Sequence, residues 1–222
     1  MIVSGNKPFE EIMEFLKEHK SVFILGCKRC ATVCKSGGEE QVNEMKELLE
    51  KEGKKVTGTL ILDPGCTLSK TKKDLNKYSD IIENTDALLS MACGDGTQTV
   101  AKIIEDKPVY PANDTLFIGE AQMLGRYEEA CRACGECQLG WTGGICPVTS
   151  CAKGLLNGAC GGADKNGKCE VNPEMSCAWI KIYKRLERIN QLDNLLMIRD
   201  ERDYSKLNRK RDIKMKDMNT RR

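Results

Sequence analysis

Eight cysteines fall in CRACGECQLGWTGGICPVTSCAKGLLNGACGGADKNGKCEVNPEMSC, between Cys131 and Cys177, and no other stretch restricts the fold so tightly. Cys131, Cys134 and Cys137 are separated by two residues each, Cys146 precedes Pro147, and Cys151, Cys160, Cys169 and Cys177 follow. Adjacent thiolates on a tight turn reach three corners of one inorganic cube, and a remote Cys supplies the fourth. The pattern Cys-x2-Cys-x2-Cys with a later Cys-Pro is therefore that of [4Fe-4S] ligands. Eight thiols match two four-ligand sites. The Cys before a proline often serves the other cluster, so spacing leaves the pairing open. The glycine and proline content is too high for helices and lets the backbone pass close to inorganic sulfide. Asp164-Lys165-Asn166-Gly167 looks like part of a calcium loop, but no ligand-spaced Glu follows, and a turn is the simpler reading.

The chain has 222 residues and 13 cysteines, which suit either disulfides or metal. MIVSGNKPFEEIMEFLKEHK has no basic start followed by an apolar segment, so no secretory signal is expected. No apolar run approaches the ~20 residues of a transmembrane helix. With an odd cysteine count and clustered spacings, the expectation is a cytoplasmic chain with reduced thiols and no membrane partner. His19 is the sole histidine and lies far from the cysteine clusters, so any zinc site would be all-thiolate. The length suggests one ordinary domain and a smaller appendage. Only 5% of residues are aromatic, so the second half should be held by something other than burial.

Upstream, the pattern alternates. Pro8 opens a helix expected over residues 8–20, with Ile12, Phe15, Leu16 and His19 on one face. Val22 to Leu25 is a buried strand, 39–52 a helix with Val42, Met45, Leu48 and Leu49 inward, and 55–62 a second strand. A helix fits 71–83 with Leu75, Tyr78, Ile81 and Ile82 inward; 87–92 is a third strand, 97–105 a helix, 109–110 a fourth strand and 115–118 a fifth. The fold class predicted is α/β: a mostly parallel sheet flanked by helices over residues 1–120. A Cys-rich iron-sulfur module follows over 121–178, then a C-terminal helix and basic tail over 179–222, the helix running to about Met197.

Ligands of parallel sheets gather outside the carboxyl ends of the strands. The other five cysteines fall there. Cys27, Cys30 and Cys34 follow the first strand in GCKRCATVC, Cys66 follows the second in DPGC, and Cys93 the third in MACGDG. An isolated Cys is by default a small buried hydrophobe. Five at successive strand exits point instead to a third site, with four holding a [4Fe-4S] cluster or zinc and one spare.

Weaker signals add little. Cys93-Gly94-Asp95-Gly96-Thr97 could offer helix N–H groups to an anion, but two glycines also serve a tight turn, as do Gly37 and Gly38. Glu39 and Glu40 suit a helix N-terminus rather than acid/base catalysis, and no catalytic residue is assigned. There is neither a G-x-G-x-x-G sequence nor a P-loop, so NAD and ATP are not indicated. Residues 181–222 hold 14 Lys and Arg against 7 Asp and Glu, yet only Tyr183 and Tyr204 as aromatics. Interspersed acids and scarce stacking residues favour a solvated helix and frayed tail over a nucleic-acid surface.

These segments resemble the MetV-type iron-sulfur subunit, the methylenetetrahydrofolate reductase C-terminal domain family. The matching blocks are GCKRCATVCKSGGEEQV, MACGDGTQTVA, CRACGECQLGWTGGICPVTSCAKGLLNGACGG, GKCEV and CAWIKIYKRL, together spanning nearly residues 1–197. The resemblance implies an electron-transfer subunit bound to a flavin-containing MetF-type subunit, in a complex that reduces methylenetetrahydrofolate to methyltetrahydrofolate in one-carbon metabolism, as in the Wood-Ljungdahl pathway. Two or three [4Fe-4S] clusters would accept electrons from ferredoxin or another redox carrier, with zinc an alternative at one four-thiolate site. Flavin and folate would sit on the partner. A four-thiolate zinc scaffold and an electron donor to a corrinoid methyl-transfer system are the competing readings.

Overall fold

The computed structural model describes residues 1–123, 125–204, 211 and 213. Elements follow as β1 (Ile2–Asn6), α1 (Phe9–Phe15), β2 (Ser21–Cys27), α2 (Cys30–Val33), α3 (Glu39–Lys51), β3 (Lys55–Leu62), α4 (Leu68–Leu75), α5 (Ser79–Glu83) and β4 (Ala87–Ser90). Then come α6 (Gly94–Ile103), β5 (Val109–Pro111), β6 (Asn113–Met123), β7 (Arg126–Cys131), α7 (Pro147–Ser150) and α8 (Ala178–Arg188). The chain divides into two compact units, Met1–Glu128 and Glu129–Arg222.

The first unit is α/β. Its four-stranded sheet has the order β3-β2-β4-β5, with every pairing parallel. Val22, Phe23, Ile24 and Leu25 of β2 have no exposed surface, as expected of a central parallel strand covered on both faces. The alternation of strand side chains divides the core in two. Val22, Ile24, Ala87 and Leu89 pack with Ile12 and Leu16 and with Val42, Met45 and Leu49 of α3. Phe23, Leu25 and Leu88 point the other way, onto Leu75 of α4, Ile82 of α5 and Val100 of α6. Each large side chain so buried contributes about 1.5–3 kcal/mol.

Several sequence expectations are corrected. Residues 115–118 do not extend the parallel sheet: they belong to β6, which pairs antiparallel with β1 in a separate sheet ordered β1-β6-β7. β1 was missed because Ile2-Val3-Ser4-Gly5-Asn6 has only two apolar residues, and its strand character comes from pairing with a distant segment. The helix expected over 71–83 begins at Leu68 and is interrupted by a 3-10 turn, Asn76–Tyr78, before α5. That interruption rotates Ile81 outward, to 41% exposure. Leu48, also 41% exposed, lies off the buried stripe of α3. The helix of 97–105 starts at Gly94, and the helix of 8–20 ends at Phe15. His19 is satisfied by Tyr110, its Nε2 lying 3.0 Å from the hydroxyl.

The second unit has little regular structure. Its buried apolar cluster consists of Trp179, Ile182 and Leu186, all from α8, with Ile145, Leu155, Ile189 and Leu192 packed against it. The helix expected to reach Met197 stops at Arg188. Asn190 adopts a positive φ of 55°, and a 3-10 turn, Leu192–Leu196, follows. Among the described residues, no helix is long and apolar enough to cross a membrane.

Candidate metal centres

In the first unit the thiols stand where the sheet order places them. β2 leads to β3 on one side and β4 lies on the other, so the chain's direction of progress reverses between β2 and β4, where ligands of such sheets bind. Cys27 ends β2 and Cys93 caps α6 just beyond β4, both nearly buried at 7% and 9% exposure. Cys66 follows β3 in the next loop. Two glycines permit the loops to close on these strand ends. A Cβ on Gly37 would stand 1.8 Å from the Met91 carbonyl oxygen, and the Gly37 carbonyl itself accepts the Cys27 N–H at 2.8 Å. A Cβ on Gly96 would meet the Ala92 Cβ at 2.9 Å and the backbone of Gly65 at 3.6 Å. The loop of Cys66 thus rests on the first turn of α6. Arg29 and Asp63 form an ion pair at 2.5 Å between the loops after β2 and β3, without the alignment of a hydrogen bond.

Cys27, Cys66 and Cys93 are electrostatic neighbours. Burial pushes the Cys66 thiol up, and the charges of Asp95, Cys93 and Cys27 push it further. Cys30 and Cys34 turn toward β1 instead. The Ile2 N–H donates to Cys30 Sγ at 3.4 Å, and Cys34 Sγ donates to the Ile2 carbonyl at 3.7 Å. Burial also raises the Cys34 thiol. The five upstream cysteines are therefore a group of three and a group of two. The Gly94 N–H is taken by Thr115 Oγ1 at 2.7 Å, which accords with the turn reading of the glycine run.

In the second unit, Cys151, Cys160, Cys169 and Cys177 line a single cavity with Lys153, Glu170 and Trp179. A short knuckle positions two of them. Asp164 accepts the N–H groups of Asn166 and Lys168 through Oδ1, and Lys168 bridges to Ser176. The Cys169 N–H then bonds the Met175 carbonyl at 2.9 Å and the Cys177 N–H the Gly167 carbonyl at 2.8 Å. Asp164-Lys165-Asn166-Gly167 is accordingly a turn. Cys151 and Cys177 pack against the α8 cluster. Cys160 Sγ lies 3.3 Å from Glu170 Oε1, and Glu170 is ion-paired to Lys153.

The other four thiols of this unit follow a separate course. Cys131 Sγ accepts the Ala133 N–H at 3.3 Å, closing the tight turn that the two-residue spacing requires. Cys146 caps α7, with Pro147 at its first position, and Thr149 Oγ1 donates to the Ala130 carbonyl at 3.5 Å, which sets α7 beside the start of the motif. Burial works to raise the Cys134 thiol. A hydrogen bond from Arg202, a backbone hydrogen bond at Glu136 and the Arg202 charge together bring it below the ordinary range.

All thirteen cysteines are free thiols. Among the described residues, no three Cys, His, Asp or Glu side chains already converge on one point to hold a metal ion. The late four line a cavity instead, and sets made purely of soft thiolates suit zinc or iron-sulfur groups. A second feature fits an anionic group: Arg202 is buried, and its Nη1 has no hydrogen-bond partner. A depression of about 670 Å³, lined by Glu18, His19, Asp86 and Lys107, is open and lies at the amino ends of the strands, with no thiol in its lining.

Sequence reasoning did not single out Arg202 or Glu170. Arg202 had no signal beyond a basic tail, and Glu170 stands next to Cys169 in GKCEV. No curated protein and no solved structure matches the chain. Residues 110–205 match the family model described as methylene-tetrahydrofolate reductase C terminal. This region contains all eight clustered cysteines, and over it the chain is similar to the methylene-tetrahydrofolate reductase C-terminal family.

Proposed function

We propose that the chain is an electron-transfer subunit that supports the reduction of methylenetetrahydrofolate by a flavin-containing MetF-type partner. The observation that carries this reading is the gathering of Cys151, Cys160, Cys169 and Cys177 around one cavity, within the region of the family match. These four form one site, and Cys131, Cys134, Cys137 and Cys146 form a second. Cys27, Cys66 and Cys93 belong to a third, whose fourth member would be Cys30 or Cys34 turned away from Ile2. [4Fe-4S] clusters held at such sites supply one-electron transfer.

The chain's own residues provide the setting. Ala133 donates its N–H to Cys131 Sγ, and the Arg202 charge acts on Cys134. Hydrogen bonds to ligand sulfur withdraw charge from it and so favour acceptance of an electron. Trp179 and the α8 stripe pack against Cys151 and Cys177 and shield them in part from water. Converting the methylene to a methyl group takes two electrons and two protons. The proposed electron source is ferredoxin or another one-electron carrier, and the flavin and folate sit on the partner.

The test is anaerobic purification of the chain with iron, sulfide and zinc assays and a visible spectrum, followed by co-purification with a MetF-type flavoprotein. Iron and sulfide with absorbance bleached by dithionite, together with a stable flavoprotein complex, are expected. Zinc without iron would overturn electron transfer in favour of a four-thiolate scaffold. Iron with a corrinoid protein as the captured partner would move the chain to a methyl-transfer system.

A further inference from the structure

The segment after α8 folds back on the motif that begins the second unit. Arg199 lies over the Trp141 ring, its guanidinium carbon 3.8 Å from the centroid. Its backbone is fixed to Asn157 by a pair of hydrogen bonds, N–H to Oδ1 at 2.7 Å and Nδ2 to the Arg199 carbonyl at 2.9 Å. From that anchor Arg202 turns inward until only 7% of it is exposed. Its Nη2 lies 3.5 Å from the Glu136 carbonyl, inside the Cys134–Cys137 turn. Arg211 Nη2 donates to the Ala133 carbonyl at 2.9 Å, in the preceding Cys131–Cys134 turn.

A buried guanidinium is costly unless an anion and full hydrogen bonding compensate it. Nη1 of Arg202 has no partner. The Glu136 charge acts on the guanidinium but leaves Nη1 unbonded, and thiolates bound to a cluster would add lasting negative charge beside it. We infer that Arg202 is a positioning residue of the Cys131–Cys146 site, where its buried cation sits in the Cys134–Cys137 turn and stabilises the reduced, more negative form of a cluster held there. The electron that creates this form comes from the one-electron carrier named above, so the inference rests on the proposed function. A fixed cation in the ligand turn raises the reduction potential of this site relative to the Cys151–Cys177 site, where the Lys153 cation is already ion-paired with Glu170. The direction of electron flow then favours the Cys131–Cys146 site as the acceptor.

The experiment uses the whole chain, anaerobically loaded, and compares wild type with Arg202→Met and Arg202→Lys by iron content and by redox titration followed by electron paramagnetic resonance. Cys131→Ser identifies the signal of this site by its disappearance, and the late site serves as internal control. Arg202→Met is expected to shift the midpoint of this signal downward and leave the control signal in place, while Arg202→Lys recovers most of the shift. Loss of iron from this site in the Met variant but not in the Lys variant also supports a requirement for charge. An unmoved midpoint in a loaded Arg202→Met protein, or equal loss of iron in both variants, would overturn the inference. Failure of the wild-type chain to bind iron would instead defeat the proposed function itself.

Discussion

Replacing Trp179 with Ala tests whether metal or burial holds the second unit together. Trp179 is 6% exposed and is the largest member of the three-residue cluster with Ile182 and Leu186. Its Nε1–H bonds the Leu155 carbonyl at 3.1 Å, and its ring borders the cavity of Cys151, Cys160, Cys169 and Cys177. Truncating a buried Trp costs about 3–5 kcal/mol. The lost hydrogen bond adds about 1 kcal/mol. A domain's whole stability is about 5–15 kcal/mol, so a unit with so small a core should not remain folded without metal after this change. Metal binding and folding are linked, and the loss should reappear in the affinity for metal. At 1.4 kcal/mol per tenfold, about 4–6 kcal/mol corresponds to roughly three to four orders of magnitude. The assay is competition with a chelator, with hydrogen exchange of the α8 amides as the structural readout. Trp179→Phe keeps a six-membered ring but loses the bond to Leu155 and part of the indole volume, so a smaller cost of about 1–3 kcal/mol, roughly ten- to a hundredfold, is expected. If Trp179→Ala holds its metal as tightly as wild type and α8 remains protected, the unit has some other source of stability and this reasoning fails.

Two further outcomes are expected. Cys131→Ser and Cys160→Ser should each remove about four iron atoms, and the two losses should add in the double variant; equal and complete loss in either single variant would mean one cooperative site. Gly37→Ala sets a Cβ against the Met91 carbonyl, so the loop must move and the Cys27 N–H loses its acceptor; a destabilisation of about 2–4 kcal/mol is expected by thermal denaturation, and a change within 0.5 kcal/mol would show that the close approach is not needed.

Much of the first unit was legible in the sequence because its signals are local. The continuous apolar run Val22–Leu25 and the α3 positions Val42, Met45 and Leu49 report burial directly. Lys55–Leu62 was bounded correctly by Gly53 and Asp63-Pro64. The antiparallel sheet was not legible, because β1 and β6 are separated by the whole parallel sheet and β6 is mostly exposed. The placement of Cys27, Cys66 and Cys93 followed from strand order. The turn of Cys30 and Cys34 toward Ile2 depended on the strand that went unread. In the second unit, two-residue spacing identified the Cys131–Cys137 turn. The grouping of the late four depends on the Asp164 turn and the Lys168–Ser176 bridge, which no spacing rule encodes. Arg202 could not be read at all, since its burial arises from the chain doubling back.

The uneven distribution of core between the two units has a consequence for how the protein is made. Residues 1–128 carry their own apolar interior and can collapse as soon as they leave the ribosome. Residues 129 onward emerge later with eight thiols, and the buried apolar cluster among their described residues comes from one short amphipathic helix, α8. If the proposed function holds, the factor that delivers metal meets an open, unfolded segment rather than a finished pocket, and loading completes the second unit. Iron starvation or oxygen during synthesis should yield chains with a native first half and a second half exposed to proteolysis, a ready mark by which a cell can recognise and remove the unloaded product.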